Sequence, residues 1–205
     1  MTVKRSPDWK DGFLFVGNQL ALDFLNTRPV QNSGPVELLP DFSALLRWFQ
    51  AAEMLSARDV SNLQERWGKS DRAQRTLEAA WDLRERLRKD VLVWERGVAV
   101  RSSTVEELNR LMRDHAMRNR LKVTRNALSM ELWFDAQQPE DLLAPLAHSA
   151  ASLFTEASRE RVRKCAQCVL HFLDTSKKGT RRWCSMRLCG NRLKVAAYAA
   201  RRRTL

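Results

Sequence analysis

The sequence predicts a mainly α protein of the α+β kind: a helical N-terminal body with a small β element, followed by a short basic module that carries cysteines. Three observations predict it. Apolar residues recur at helical spacing through most of the chain before the first cysteine. Only 7 glycines and 6 prolines punctuate 205 residues, too few for the tight turns of an all-β fold. All four cysteines fall near the C-terminal end.

Phe13-Leu14-Phe15-Val16 reads as a short strand stopped by Gly17-Asn18, and Leu20 to Leu25 as a helix. Pro29, Ser33-Gly34-Pro35 and Pro40 mark a loop. Asp41 is placed to cap a helix with Leu45, Trp48, Phe49, Ala52 and Leu55 on one face, and Ser56-x-x-Asp59 is a second cap. The longest helix is expected from Asp71 to Glu95, where Ala80, Leu83, Leu87, Val91 and Trp94 form one stripe; Gly97 ends it. Thr104-x-x-Glu107 reads as a capping box for a helix with Leu108, Leu111, Met112 and His115 in line. Alternation from Leu121 to Phe134 predicts a hairpin turning near Asn126. Pro139 precedes a helix from Asp141 to about Arg163, with Leu142, Leu146, Ala150 and Leu153 inside, running towards the first cysteine.

Hydrophobic residues make up 44%, with seven tryptophans and eight phenylalanines, which suits a packed core rather than a disordered chain. The segment Met1 to Asp11 is polar, and no run of about 18 apolar residues is present to span a bilayer. The expectation is a cytoplasmic protein with no membrane association. In that compartment disulfides are rare, so the cysteines need another explanation. The net charge of +12 is unevenly placed: residues 159–205 carry 14 Lys and Arg against 2 Asp and Glu, and residues 1–158 carry 22 of each. The chain therefore divides into a neutral body, 1–158, and a cationic module, 159–205, suited to a polyanion.

Cys165, Cys168, Cys184 and Cys189 are spaced C-x2-C, fifteen residues, then C-x4-C. A two-residue gap lets a tight knuckle aim two thiolates at one ion, and four thiolates leave no open position for catalysis. Val169 to Leu173 is strand-like, Thr175 to Gly179 is a turn, and Thr180 to Trp183 can return as a second strand. Ser185 can cap a helix from Met186 to about Arg203, with Cys189 in its first turn. Knuckle, hairpin and helix describe a treble-clef-like zinc finger holding one structural Zn2+. A module of about 47 residues buries too little apolar surface to fold alone. Structural zinc contributes on the order of 10–16 kcal/mol. Competing readings are buried core cysteines, a redox C-x-x-C, a redox-sensing zinc site, and His171 in place of one of the later cysteines.

The cations cluster at Lys177, Lys178, Arg181 and Arg182 in the turn, at Arg187, Arg192 and Lys194 in the helix, and at Arg201, Arg202 and Arg203 in the tail. Arg187, Asn191, Lys194, Tyr198 and Arg201 share one helical face, where Arg can read guanine and Asn adenine in a major groove. The tail arginines suit phosphates, which position without specifying. The rival reading is a solvated charged face.

The stretch Cys165 to Arg203, with Phe-Leu-Asp-Thr-Ser at 172–176, Arg-Arg-Trp-Cys-Ser-Met at 181–186 and Cys-Gly-Asn-Arg at 189–192, resembles the CGNR zinc finger. Phe13 to Thr27 is similar to the opening of the ABATE domain, with Gly17-Asn18 where that family often has two glycines. That domain typically precedes this finger in bacterial proteins described as stress-induced transcription regulators, so the resemblance implies DNA binding without naming a target.

No catalytic constellation is visible in the body: its histidines are scattered, and no Gly-rich phosphate loop or nucleophile elbow appears, so no enzyme is expected. Asp23, Asn26, Thr27 and Arg28 read either as a candidate ligand pocket or as a helix-end hydrogen-bond network. The reading is a DNA-binding transcription regulator whose body senses a small-molecule effector or forms a homodimer on double-stranded DNA. One alternative is an RNA-binding or ribosome-associated zinc protein. Another is a metabolite-binding protein with the finger as scaffold.

Overall fold

The computed structural model describes residues 8–31, 34–115, 117–124 and 127–191. Among the described residues six α-helices form the body: α1 (Leu20–Leu25), α2 (Phe42–Ala51), α3 (Ala57–Trp67), α4 (Asp71–Trp94), α5 (Ser102–Asp114) and α6 (Leu143–Glu156). Four antiparallel ladders of two strands each join them: β1 (Trp9–Lys10) with β2 (Phe13–Leu14), β3 (Val30–Gln31) with β4 (Gly34–Pro35), β5 (Arg118–Thr124) with β6 (Ala127–Trp133), and β7 (Val162–Lys164) with β8 (His171–Leu173). The fold is mainly α with small sheets.

α4 lies at the centre, touching α1, α2, α5 and α6. Its stripe Ala80, Leu83, Leu87, Val91 and Trp94 is buried throughout, because apolar side chains at helical spacing share one face. Trp48 is fully buried among Phe15, Phe24 and Phe49. Asp41 caps α2 by accepting from the Ala44 amide at 2.7 Å, and Ser56 and Asp59 form a reciprocal box on α3. Gly97 follows α4 at φ +92°, where glycine meets no steric penalty.

Several expectations change. The strand expected over Phe13 to Val16 covers only Phe13–Leu14, as β2. Thr104 does not open a capping box: α5 begins at Ser102 after Arg101. The Thr104 hydroxyl instead donates to the buried Asp90 carboxylate at 2.5 Å, and Arg101 grips that carboxylate at 2.7 and 3.1 Å. A charged acceptor in the interior outcompetes a helix-end amide that water can reach. α6 stops at Glu156 rather than near Arg163, because the chain turns at Arg159–Arg161 and enters β7. Thr180 to Trp183 forms no return strand; β8 takes β7 as its partner, pairing His171 with Lys164. The hairpin turn expected near Asn126 lies outside the described residues, as does the part of the expected helix beyond Asn191.

The β5–β6 hairpin leaves one apolar face exposed. Leu121 pairs with Met130 and Val123 with Leu128, and all four side chains are mostly in solvent. Among the described residues no helix is long and apolar enough to cross a membrane.

Candidate metal centre and nucleic-acid interface

β7 delivers the chain to Cys165, and β8 leads it away after Leu170. The Cys165 amide donates to the Leu170 carbonyl at 2.8 Å, closing the knuckle that carries Cys168. Cys184 arrives on the loop that follows β8. Ser185 then caps a short turn, Met186–Gly190, its Oγ accepting from the amides of Arg187 and Leu188. In that turn the amides of Gly190 and Asn191 reach back five residues, to the carbonyls of Ser185 and Met186. This wider, π-type winding brings Cys189 back to the other cysteines.

The four sulfurs lie within 4.8 Å of one another, with Cys168 to Cys184 at 3.5 Å and Cys184 to Cys189 at 3.7 Å. A tetrahedron of thiolates around zinc, with Zn–S near 2.3 Å, has S···S edges of about 3.8 Å. The set therefore fits one zinc ion. Cys165, Cys184 and Cys189 are buried and Cys168 is half-buried. The Cys168 thiol is held down to about 5, first by the hydrogen bond from Cys184 and then, against burial, by the Leu170 amide. Burial and the neighbouring Cys168 push Cys189 up to about 12. Cys184 is raised as well, first by its donation to Cys168 and then by burial. One thiolate thus shares its neighbours' protons; a divalent ion would let all four ionise. His171 stands apart from the set: its buried ring has Nε2 3.5 Å from Glu95.

The finger does not pack on itself alone. Leu14 and Val16 from the N-terminal segment bury against Leu170, Phe172 and three of the cysteines, with Trp9 and Trp183 packed alongside. Ser185 donates to Asp8 at 2.6 Å. The free edge of β8 is bordered by the body: Leu173 N–H donates to the Gly17 carbonyl at 2.8 Å, and Asn18 Nδ2 to the Leu173 carbonyl at 2.9 Å. Asn18 sits at φ +57°, a region that glycine and asparagine tolerate best. Gly190 is buried beneath Met186 and Trp183; a Cβ there would lie 2.6 Å from the Met186 sulfur.

Three of the four residues around the end of α1 turn inward. Asp23 accepts from the Gly17 amide at 2.7 Å, and burial pushes its carboxyl up to about 7 against the pull of that amide, the Val16 amide and Lys10. Asn26 pairs with the backbone of His171. Thr27 donates to the Phe24 carbonyl at 2.7 Å and accepts from Arg84 at 2.8 Å. These three form a hydrogen-bond network, because a buried polar group needs partners. Arg28 is different: half exposed and paired with Glu85 at 3.2 Å, it lines a cleft between body and finger. Sequence reasoning missed Arg84, which is fully buried and clamped by Glu37. The signal was present: Arg84 stands four residues after Ala80, inside the buried stripe.

Lys177 and Lys178 are exposed on the turn after β8, and Arg187 and Asn191 are exposed on the turn that carries Cys189. Arg182 is exposed with its guanidinium 5.2 Å over the Trp183 ring. Arg181 turns inward, donating to the carbonyls of Trp183 and Cys184 and stacking 4.7 Å over Phe172, so it braces the cysteine loop. Arg192, Lys194, Arg201, Arg202 and Arg203 lie outside the described residues. A groove of about 440 Å3 runs between the end of α4 and the finger, lined by Arg96, Arg159, Arg163, Lys164, Arg181 and Arg182 against Glu95 and Glu160. Sequence reasoning counted most of these cations but could not place them together.

Residues 18–157 match the ABATE domain, described as "Putative stress-induced transcription regulator", and residues 161–202 match the CGNR zinc finger. No curated protein matches the chain.

Proposed function

This chain belongs to the ABATE family and ends in a CGNR zinc finger, and on that premise we propose that it is a transcription regulator that grips duplex DNA with the finger. The observation that carries this reading is the sign of the surface around the thiol cluster. Six cations line the groove beside it against two acids, and Lys177, Lys178 and Arg187 stand exposed beyond the groove.

Cys165, Cys168, Cys184 and Cys189 are the ligands of one structural zinc. The ion cross-links knuckle and turn, so that the cationic side chains keep fixed positions. Lys177, Lys178 and Arg182 contact phosphates, and Arg96, Arg159 and Lys164 extend that track from the body side. Arg187 and Asn191 read base edges, and Arg192 and Lys194, which follow them in the sequence, add to that contact. The arginines at 201–203 add phosphate contacts, and Arg181 positions the loop without touching DNA. Two half-sites call for two copies of the chain. The β5–β6 face, apolar and exposed, is where a second copy docks; Met130→Glu should turn a dimer into a monomer by sedimentation.

Selection from random duplex DNA at physiological salt, with and without zinc, tests the reading. A specific site should emerge only with zinc, and log affinity against log salt should slope at about −0.9 per phosphate neutralised. Folded RNA that outcompetes the selected duplex would transfer the function to RNA.

A further inference from the structure

We propose that the cleft between body and finger is a binding site for a small organic anion with a short apolar body. The cleft, about 260 Å3, lies between α4, the β3–β4 ladder and the strands of the finger. Three cations line it from three elements: Arg28 after α1, Arg88 on α4 and Lys164 on β7. The one acid in the lining, Glu85, lies 3.2 Å from Arg28 and 3.5 Å from Arg88, which orients both guanidinium groups. Positive charge remains in excess.

His171 forms another part of the wall. Its side chain is 2% exposed, and neither ring nitrogen makes a hydrogen bond; the closest acid, Glu95, stands 3.5 Å from Nε2. A buried polar group without a partner is costly and calls for an explanation. Nε2 faces the Glu95 carboxylate, so Nδ1 is the nitrogen for which an anionic group in the cleft would supply a partner, together with the cations. Val30, Leu92 and Val169 complete the walls, so the remainder of the ligand meets hydrocarbon. The volume suits a ring or a short chain rather than a bare inorganic ion. Carboxylates and phosphate esters share the chemistry that this lining recognises.

The site lies on the seam that holds the finger. Lys164 adjoins Cys165, and His171 is the residue whose backbone Asn26 holds. A ligand there touches both parts of the chain at once.

Calorimetric titration of the full, zinc-loaded chain with benzoate, hexanoate, phenyl phosphate and the neutral benzamide tests the proposal. At least one anion should bind, with benzamide weaker by about tenfold or more. Arg28→Gln and His171→Gln should each weaken the anion by about tenfold or more. The tighter of benzoate and phenyl phosphate identifies the head group. Bound zinc measured in each variant verifies that the finger is intact. Should His171→Gln lose zinc, Arg28→Gln, at a half-exposed side chain, carries the test alone. Absence of anion binding, equal binding of benzamide, or affinity indifferent to Arg28→Gln would overturn the proposal. The titration contains no DNA, so it can fail while DNA binding stands, and the reverse.

Discussion

Asn26 holds the backbone of His171 from both sides: its Oδ1 accepts the His171 N–H at 2.9 Å and its Nδ2 donates to the His171 carbonyl at 2.9 Å. The side-chain amide thereby takes the place of a neighbouring strand for β8. Both bonds are buried, and they connect residues 145 apart in sequence. With the Gly17 and Asn18 contacts to Leu173, they make the loop before α1 and the end of α1 the edge on which the finger rests.

Asn26→Ala should destabilise the protein by about 2–4 kcal/mol, because it leaves a buried N–H and a buried carbonyl unpartnered together. Urea unfolding measures it. A loss below about 0.5 kcal/mol, the usual range of a surface substitution, would show that the seam does not depend on this residue.

Asn18 separates two effects at one position. Its φ of +57° favours glycine, while its side chain donates to the Leu173 carbonyl. Asn18→Gly loses the bond but relieves the backbone, and should be neutral within about 0.5 kcal/mol. Asn18→Ala loses the bond and keeps a Cβ in the left-handed region, and should cost about 1–2 kcal/mol. Thermal unfolding of the two variants tests the order; Ala at or above Gly in stability would contradict it.

Chelation of zinc should loosen more than the last stretch of the chain. Leu14 and Val16 bury against the cysteine side chains, and Asp8 accepts from Ser185. Hydrogen exchange should therefore rise at residues 9–16 as well as from 165 onward, while the buried face of α4 keeps its protection. Cys184→Ser should reproduce the pattern. Unchanged exchange at both ends would mean that the ion is not structural.

The parts of this fold that were legible in the sequence are those set by near neighbours. The α4 stripe repeats with the helix period, Asp41 and Ser56 cap helices that begin beside them, and the cysteine spacing carries its own geometry. Relationships across long separations were hidden. Thr104 looks like a cap until Asp90, fourteen residues earlier, offers a buried carboxylate. β8 could have paired with residues 180–183, and nothing local says that Val162–Lys164 competes for it. Arg84 falls within the apolar stripe of α4, but nothing near it in the sequence names Glu37 and Thr27 as its partners. The cleft lined by Arg28, Lys164 and His171 exists only after the finger has docked, so no window of sequence could display it.

Asp23 should make stability depend on pH. Burial raises its carboxyl from the usual carboxylate range to about 7, so the folded protein holds this proton more tightly than the unfolded chain does. The proton-linked stabilisation is complete below a pH of about 4, the unfolded value. It falls as pH rises through about 7, where the folded group ionises. Asp23→Asn stays neutral throughout, and its side-chain carbonyl can still accept from the Gly17 amide. Relative to this variant, the parent should lose up to about 4 kcal/mol between pH 4 and pH 8. Glu95 is also raised to about 7 by burial, and His171 is lowered to about 4, but both titrate alike in the two proteins and drop out of the difference. Urea midpoints of both proteins at half-unit steps of pH supply the difference curve. A curve that is flat across that window would show that Asp23 ionises inside the fold without penalty, and that the Gly17 and Val16 amides outweigh its burial.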